Sequence, residues 1–361
     1  MNPKTLDLAR ISIMDFKPKE SSKELWEQFH QLYEKLRIEI LPKDKLNNRD
    51  IFEKRLILGE PDYHTTIWLV FKDKTLKELL GFCSFDWCRE DSELYKENKE
   101  IGFVDIRIDC DYRRQGLGTN ILKKITHKLK DKGCKYFEVT TYYPSGMNFC
   151  EKLEAKLTNI EAQNRLYFDT INWQLVDDWI EEGKKKNPEV KIEAFFGASE
   201  EQIEEYCKLM TELENEAPTL EEEDGKKFKE IYTPKRYREF VEHLKETSYT
   251  LYTFRTIESN GNISGMTEIF FSDENIPEQV NTGLTGVKSI YRGRGLGKWL
   301  KASMLHFIKE NLPKTEYIVT GNADHNAPML SINTRLGFKH YLQRRSYKFT
   351  IDKLINLLQE K

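Results

Sequence analysis

Arg292-Gly293-Arg294-Gly295-Leu296-Gly297 decides the fold, because this glycine-rich turn joins an extended run at 284–290 to a helix-like segment that starts at Lys298. Glycine lets the main chain approach a ligand closely, and the first N–H groups of a helix have no partner inside the helix. Such a turn between a strand and a helix is a candidate site for a diphosphate. Arg113-Arg114-Gln115-Gly116-Leu117-Gly118 repeats it without insertion or deletion, so that Arg113 aligns with Arg292 and Gly118 with Gly297. We therefore predict two copies of one ligand-binding unit.

The predicted elements follow the same order around each turn. Strands precede it, at 66–71, 79–87 and 101–108 in the first copy and at 249–256, 263–271 and 284–290 in the second. A helix follows each turn, and then a strand and a short helix. A helix at 172–186, ended by Asn187-Pro188, separates the copies. We expect an N-terminal domain at 1–170, which a short strand at 166–169 would close, a linking helix at 171–188 and a C-terminal domain at 189–361.

Four further segments carry local predictions. The charged segment 89–100 is typical of a solvated loop. Ser199 and Gln202 have the spacing of a capping box before an apolar helical pattern. Ser22 and Thr233-Pro234 likewise predict helix starts.

The composition narrows the class of protein. At 361 residues the chain is long enough for two domains, and 39% hydrophobic content supports a core in each. Because 57 basic side chains nearly balance 60 acidic ones, we expect no nucleic acid partner. Residues 1–16 lack the apolar stretch of a signal peptide, and no apolar run has membrane-spanning length. We expect a cytoplasmic monomer or homodimer with no membrane partner.

Metal binding is not expected either. The six cysteines include no CxxC pair, and the seven histidines include no HxxxH or HExxH arrangement. Scattered cysteines in an intracellular chain are usually small buried hydrophobic residues.

Two common phosphate motifs fit the turn poorly. A nucleotide-triphosphate loop needs Ser or Thr after its lysine, but Trp299 follows Lys298. A dinucleotide fingerprint that starts at Gly293 needs a third glycine where Lys298 stands. Both turns instead satisfy the pattern [RQ]-x-x-G-x-[GA] after a strand.

In this pattern the chain resembles the GNAT superfamily of N-acetyltransferases, whose loop wraps the pyrophosphate of acetyl-CoA. The second copy is the closer one, since Val287 and Tyr291 also stand where the family's V-x-P-x-Y-R-G-x-G-x-G has them. A downstream block similar to the family's contains Asn322, Asn326, Met329, Asn333 and Gly337-Phe338. The tandem layout resembles two-domain acetyltransferases of the mycothiol synthase type. The resemblance implies an α/β fold of two tandem GNAT domains, each with a mixed, mostly antiparallel sheet flanked by helices.

The resemblance also implies which residues contact acetyl-CoA, the expected cosubstrate. Backbone N–H groups of residues 294–298 would hold the pyrophosphate, and a strand N–H near Val287 would polarise the thioester carbonyl. The implied contacts are Val287, Arg292, Gly293, Arg294, Gly295, Leu296, Gly297, Lys298, Asn322 and Asn326 in the second copy, and Ile108, Arg113, Arg114, Gln115, Gly116, Leu117 and Gly118 in the first. Asn326 and Asn333 could instead be helix caps or surface polar residues.

The candidate catalytic residues are Glu268 and Asn333. Glu268 is an acidic residue in the apolar run 266–271 and could be the general base, or it could lie on the solvated face of an alternating strand. Asn333 occupies the place of the tyrosine that protonates the leaving thiolate in the family, but an amide is too weak an acid for this task. Tyr341, a water or an unaided thiolate are the alternatives.

The first copy departs further from the family pattern. The alignment of the two turns does not extend into the downstream block, because the first copy has a deletion between its turn and this block. Pairing Leu153 with Leu336 places Cys150 at the tyrosine position and Glu154 at the glycine position. Cys150 could be a nucleophile or a buried structural residue.

These differences between the copies indicate which domain carries out the chemistry. We expect an N-acetyltransferase that acts on a small-molecule primary amine mainly in its C-terminal domain. The alternative is a non-catalytic acyl-CoA-binding module.

Overall fold

A computed structural model of the chain describes residues 6–198, 200–216, 227–323 and 326–359. The chain forms two compact units. The first comprises Met1–Asn159, Glu221–Lys229 and Arg344–Lys361, and the second comprises Ile160–Leu220 and Glu230–Gln343. Among the described helices, none is both long and apolar enough to cross a membrane.

Both units contain strands and helices. The strands are β1 (Ser12–Phe16), β2 (Tyr63–Phe71), β3 (Leu79–Cys88), β4 (Ile101–Ile108), β5 (Tyr136–Thr141), β6 (Lys156–Tyr167), β7 (Lys191–Phe196), β8 (Thr250–Ile257), β9 (Ile263–Phe271), β10 (Gln279–Val287), β11 (Tyr317–Ala323) and β12 (Lys339–Thr350). The helices are α1 (Lys23–Ile40), α2 (Arg49–Leu58), α3 (Tyr95–Asn98), α4 (Leu117–Asp131), α5 (Pro144–Lys152), α6 (Trp173–Lys186), α7 (Ile203–Asn215), α8 (Pro234–Glu246), α9 (Leu296–Asn311), α10 (Ala327–Leu336) and α11 (Ile351–Gln359).

The sheet of the first unit has the strand order β1-β2-β3-β4-β5-β12. β4 and β5 run parallel and pair over residues 101–103, whereas the other neighbouring strands are antiparallel. Residues 345–350 of β12 pair with β5, so the last strand of the chain completes this sheet.

Helices cover both faces of the first sheet. Since side chains alternate along a strand, Leu69 and Phe71 of β2 pack with α1, and Trp68 and Val70 pack with α4 and α11. α1 begins as predicted, with the Ser22 hydroxyl accepting a hydrogen bond from the N–H of Leu25.

The sheet of the second unit has the strand order β6-β11-β10-β9-β8-β7. β10 and β11 run parallel over residues 279–281, and the other pairs are antiparallel. Met266 of β9 packs with α7 and α8, whereas Ile269 packs with α6, α9 and α10 on the opposite face. These two sheets confirm the predicted α/β class with mixed, mostly antiparallel sheets flanked by helices.

The two units depart from the expected limits at residues 170 and 189. The strand predicted at 166–169 overlaps only the last two residues of β6. Residues 161–167 of β6 pair with β11 of the second unit. β12 and α11, which the sequence patterns did not predict, contribute to the first unit from residue 344 onwards. β6 and β12 each belong to the unit whose strand they pair with, whatever their position in the sequence, because a strand is stabilised by its neighbours in the sheet.

Two local predictions differ from the structure, and a third is not tested by it. β10 ends at Val287, before the predicted end of the strand at Ile290. The segment 89–100 is not simply a solvated loop, because Leu94 is buried and the buried Asn98 side chain exchanges two hydrogen bonds with the backbone of Lys229 at 2.9 Å each. Ser199 lies outside the described residues.

Candidate functional site

The second glycine turn presents an open main chain at the start of α9. Gly293 and Gly295 have φ angles of +81° and +84°, which favour glycine, and Gly295 is the residue immediately before Leu296. A Cβ atom added to either glycine would meet nothing within 4 Å. The start of α9 therefore faces free space, as a helix N-terminus that binds an anion must.

The first glycine turn has the same backbone shape. Arg114 and Gly116 have φ angles of +64° and +83°, and α4 begins at Leu117. A Cβ on Gly118 would contact Ile108 and Phe149, as one on Gly297 would contact Val287 and Ile332. The alignment that pairs Leu153 with Leu336 also pairs Phe149 with Ile332, so the structure agrees with the deletion that the downstream block required.

The first arginine of each turn binds the strand that precedes the turn. Arg292 donates from Nε to the carbonyl of Val287 at 2.9 Å, and Arg113 donates from Nε to the carbonyl of Ile108 at 2.8 Å. Their terminal nitrogens form ion pairs with Glu216 and Glu39, respectively, at 2.6 Å. Both side chains connect the turn to the strand that precedes it.

Other side chains of the turns are also engaged within the protein. Arg294 donates to Asn187 at 2.9 Å and to Glu258 at 3.0 Å. The ammonium of Lys298 lies 5.6 Å from the centre of the Trp179 ring, and Gln115 accepts a hydrogen bond from the N–H of Leu6. What the second turn offers a diphosphate is thus mainly backbone.

A cleft can open beside each turn because the parallel strands pair only over a short stretch. After residue 281, the register of β10 against β9 shifts between Thr282 and Thr285, which is a β-bulge. Gly283 and Leu284 lie in this bulge, next to the point where β10 stops pairing with β11.

The corresponding cleft of the first unit is a cavity of about 360 Å³. It is lined by the turn, by the end of β4, by the β5–α5 connection and by Leu36 of α1; Leu358 of α11 also lines it. The Tyr143 hydroxyl, at the start of α5, donates to the carbonyl of Leu36 at 2.7 Å. The first unit therefore has a space that runs from the start of α4 to apolar side chains such as Phe149 and Leu358.

Glu268 is buried in the second unit, so its alternative placement on a solvated strand face was wrong. Its side chain accepts a hydrogen bond of 2.5 Å from the hydroxyl of Tyr206, which comes from α7. A Cβ on Gly283 would lie 3.0 Å from Oε2 of Glu268, which places the carboxyl group against the bulge of β10. Burial raises the pKa of Glu268 to about 7, although the hydrogen bond from Tyr206 opposes this shift.

The downstream asparagines lie in and around α10. Asn333 is buried and donates to Oδ1 of Asn322 at 2.6 Å, so it is neither a cap nor a surface residue. Asn326 is the N-cap of α10 and accepts a hydrogen bond from the N–H of Met329 at 3.3 Å. The ring of Tyr341 is stacked against the guanidinium of Arg165, whose Cζ lies 3.5 Å from the ring centre.

Other reactive groups of the first copy are held in unreactive states. Cys150 is buried, and burial raises the pKa of its thiol to about 12, which excludes a thiolate nucleophile at neutral pH. Among the described residues, Asp109, Cys110 and Asp111 are close enough to share a metal ion. However, the ammonium of Lys35 already bonds Asp109 at 2.6 Å and Asp111 at 3.2 Å, and we keep the prediction that no metal binds.

The sequence patterns missed Tyr206, Tyr143 and Leu358. Tyr206 has helical spacing with other apolar residues, which predicts a core position and nothing more. Pairing Leu153 with Leu336 does place Tyr143 where the second copy has Asn326, but this position alone does not predict the hydrogen bond to Leu36. Nothing in the sequence predicts that Leu358 lines a cavity of the first unit.

Comparisons of the sequence with known proteins give one family match. Residues 25–154 match the sequence model of the acetyltransferase (GNAT) family. No curated protein sequence is significantly similar to the chain. The family match falls on the first copy, although the second was expected to be the better preserved.

Solved structures match the chain over almost its whole length. A tandem GNAT protein from the clavulanic acid biosynthesis pathway, solved without acetyl-CoA, has a TM-score of 0.70 and 17% identity over 94% of this chain and 98% of its own. A glucosamine N-acetyltransferase region of a fungal multi-domain β-N-acetylglucosaminidase has a TM-score of 0.66 and 14% identity over 94% of this chain and 38% of its own. N-myristoyltransferase from Saccharomyces cerevisiae, with bound myristoyl-CoA, has a TM-score of 0.54 and 12% identity over 97% of this chain and 82% of its own. At these identities the likeness shows the fold alone, which the chain shares with a tandem GNAT protein over 94% of its length.

Proposed function

We propose that this tandem GNAT protein is an N-acetyltransferase that moves an acetyl group from acetyl-CoA directly to a primary amine of a small molecule. The family match and the fold support acyl transfer from an acyl-CoA in general terms. The choice of acetyl-CoA rests on the sequence of the two turns. The choice of a small amine rests on likeness to enzymes such as the glucosamine N-acetyltransferase region.

The observation that carries the proposal is the position of Glu268 in the second unit. Its carboxyl group lies against the bulge of β10, beside the cleft in which the thioester would lie. A buried carboxylate with a pKa of about 7 is suited to take a proton near neutral pH. Tyr206 holds it in one orientation.

In this mechanism, the amine nitrogen attacks the thioester carbon while Glu268 accepts the proton that the nitrogen releases. The carbon–nitrogen bond forms, the carbon–sulfur bond breaks, and CoA leaves as a thiolate. Backbone N–H groups of the β10 bulge and of the start of α9 would stabilise the oxyanion and hold the pyrophosphate. The thiolate takes its proton from water, because the amide of Asn333 is too weak an acid and already donates to Asn322.

Replacing Glu268 with Gln should lower kcat about a hundredfold, because the amide cannot accept the proton. Acetyl-CoA affinity, measured by calorimetry, should change little. In the wild type, kcat should rise with pH through about 7, since the base must be ionised. An unchanged kcat in Glu268→Gln would exclude this residue as the base.

Tyr206→Phe is the matched variant for the same site. It keeps the carboxylate but removes the hydrogen bond that lowers the pKa of Glu268. The midpoint of the pH–kcat profile should therefore move above that of the wild type. A profile that does not move would show that Tyr206 has no influence on the titrating group.

Gly295→Val should abolish acetyl-CoA binding to the second turn. The substitution forces a β-branched residue into a left-handed conformation and directs its side chain into the space of the diphosphate. Calorimetry should count two acetyl-CoA molecules per wild-type chain and one per variant chain. Gly261→Val is the control, since Gly261 also has a positive φ, +86°, with nothing within 4 Å, but lies in the β8–β9 turn.

A second function is favoured for the first unit. Its cavity lies directly beside the turn. However, Cys150 stands in the place of the usual acid, and Ser84, which pairs with Asp105, stands at the level where the second unit has Glu268. We propose that this unit binds acyl-CoA without transferring the acyl group. A stoichiometry of one in the wild type, abolished by Gly295→Val, would contradict it.

A further inference from the structure

The cavity of the first unit contains a charged side chain that the proposed acyl-CoA contacts do not use. Arg107 of β4 lines the cavity one residue before Ile108, together with Leu36 and Tyr143. In the alignment of the two turns, Gly286 stands at this position in the second unit. The guanidinium is thus particular to the first unit.

Three neighbours fix the orientation of this guanidinium. Nε of Arg107 donates to Oδ2 of Asp105 at 2.8 Å. Its Cζ lies 5.9 Å from the ring centre of Tyr33 and 5.7 Å from that of Phe82. Contacts with aromatic faces and a carboxylate hold an arginine in one position before a ligand arrives.

The terminal nitrogens of Arg107 have hydrogen-bonding capacity to spare. An arginine side chain has five N–H donors, and Asp105 accepts from Nε. In the described part of the chain, no side chain or carbonyl accepts from the two terminal nitrogens, and 33% of the side chain is accessible. Two terminal nitrogens in one plane match the two oxygens of a carboxylate.

We propose that the first unit binds a ligand with a carboxylate group, which the terminal nitrogens of Arg107 hold. The inference rests on the proposal that this cavity is an acyl-CoA site, because Arg107 then adjoins the strand end expected to bind pantetheine. The carboxylate belongs either to the acyl group of the CoA ester or to the molecule that lies beside it. Gly286 gives the second unit no such preference.

Calorimetry on the full chain with Gly295→Val, which blocks the second turn, separates these two sources. The first arm compares malonyl-CoA with acetyl-CoA. The second arm compares β-alanine with propylamine in the presence of saturating CoA. We expect the carboxylated member of one pair to bind roughly ten- to a hundredfold more tightly, as a charge-assisted hydrogen bond does.

Substitutions then assign the preference to Arg107. Arg107→Met should remove it, and Arg107→Lys should retain part of it, because a lysine keeps the charge but loses the planar pair of donors. Since Arg107→Met leaves Asp105 without its partner, the double variant D105N/R107Q removes both charges together and should also lose the preference. Thermal unfolding of each variant verifies that the first unit is folded.

The outcomes distinguish this inference from the proposal on which it rests. If both CoA esters bind equally and both amines bind equally, the carboxylate inference is wrong while the acyl-CoA site stands. If neither CoA ester binds, the acyl-CoA assignment of the first unit fails and the inference fails with it. A preference that persists in both Arg107→Met and D105N/R107Q would place the carboxylate at another residue.

Discussion

A chain that ends at Thr350, without α11, should lose the folded first unit and retain the second. Ile351, Leu354 and Leu358 of α11 are buried in the core that α4 and the sheet of the first unit share. Burial of each such side chain is worth about 2 kcal/mol, so the helix contributes on the order of 6 kcal/mol. That value is comparable to the whole stability of an ordinary domain. The ion pair of Lys130 with Asp352 adds little, because both side chains are more than half exposed.

Urea unfolding followed by fluorescence should therefore show one transition in the truncated chain and two in the wild type. The acyl-CoA binding that we propose for the cavity should be lost as well, since Leu358 is one of its walls. The double variant L354A/L358A should behave like the truncation, and D352A/N356A, on the exposed side of the same helix, should behave like the wild type. Two unchanged transitions in the truncated chain would contradict the assignment of α11 to the first unit's core.

The parts of the fold that depend on local chemistry could be predicted from the sequence. Glycine at positions with positive φ marked both turns, and Thr233 marked the start of α8 because its hydroxyl accepts the N–H of Arg236. Strand β4 was predicted at its observed bounds because apolar β-branched residues recur along it.

The parts that depend on distant partners could not be predicted. Alternation of apolar and polar residues predicts burial only for a strand with one solvated face. Helices cover both faces of β9, so Glu268 is buried although it is a polar residue in the strand. β12 is rich in charged residues and becomes a strand because β5 pairs with it. Within β10, Asn281 and Gly283 have a weak strand preference, which agrees with a bulge rather than a regular strand.

Lys301→Leu should stabilise the second unit by several kcal/mol at neutral pH. Lys301 of α9 is 1% exposed, and no ion pair or hydrogen bond links it to another described residue. In the alignment of the two turns, Leu122 stands at this position in the first unit and is also 1% exposed, so the position accepts leucine in this fold. Burial lowers the pKa of Lys301 from 10.5 to about 7.

The pH dependence of this gain identifies its cause. Below pH 7 the lysine is charged in both states, and the folded state carries the full cost, on the order of 5 kcal/mol from the pKa difference. Between pH 7 and 10.5 the unfolded chain binds the extra proton, so the stability of the wild type rises with pH and the advantage of leucine shrinks.

Urea unfolding of the second unit at pH 6.5 and pH 9.5 measures the advantage of leucine under both conditions. Lys309→Leu, at an exposed lysine of the same helix, should change the stability by less than about 1 kcal/mol at either pH. An advantage of leucine that is equal at both pH values would show that packing, and not the burial of a charge, separates the two side chains.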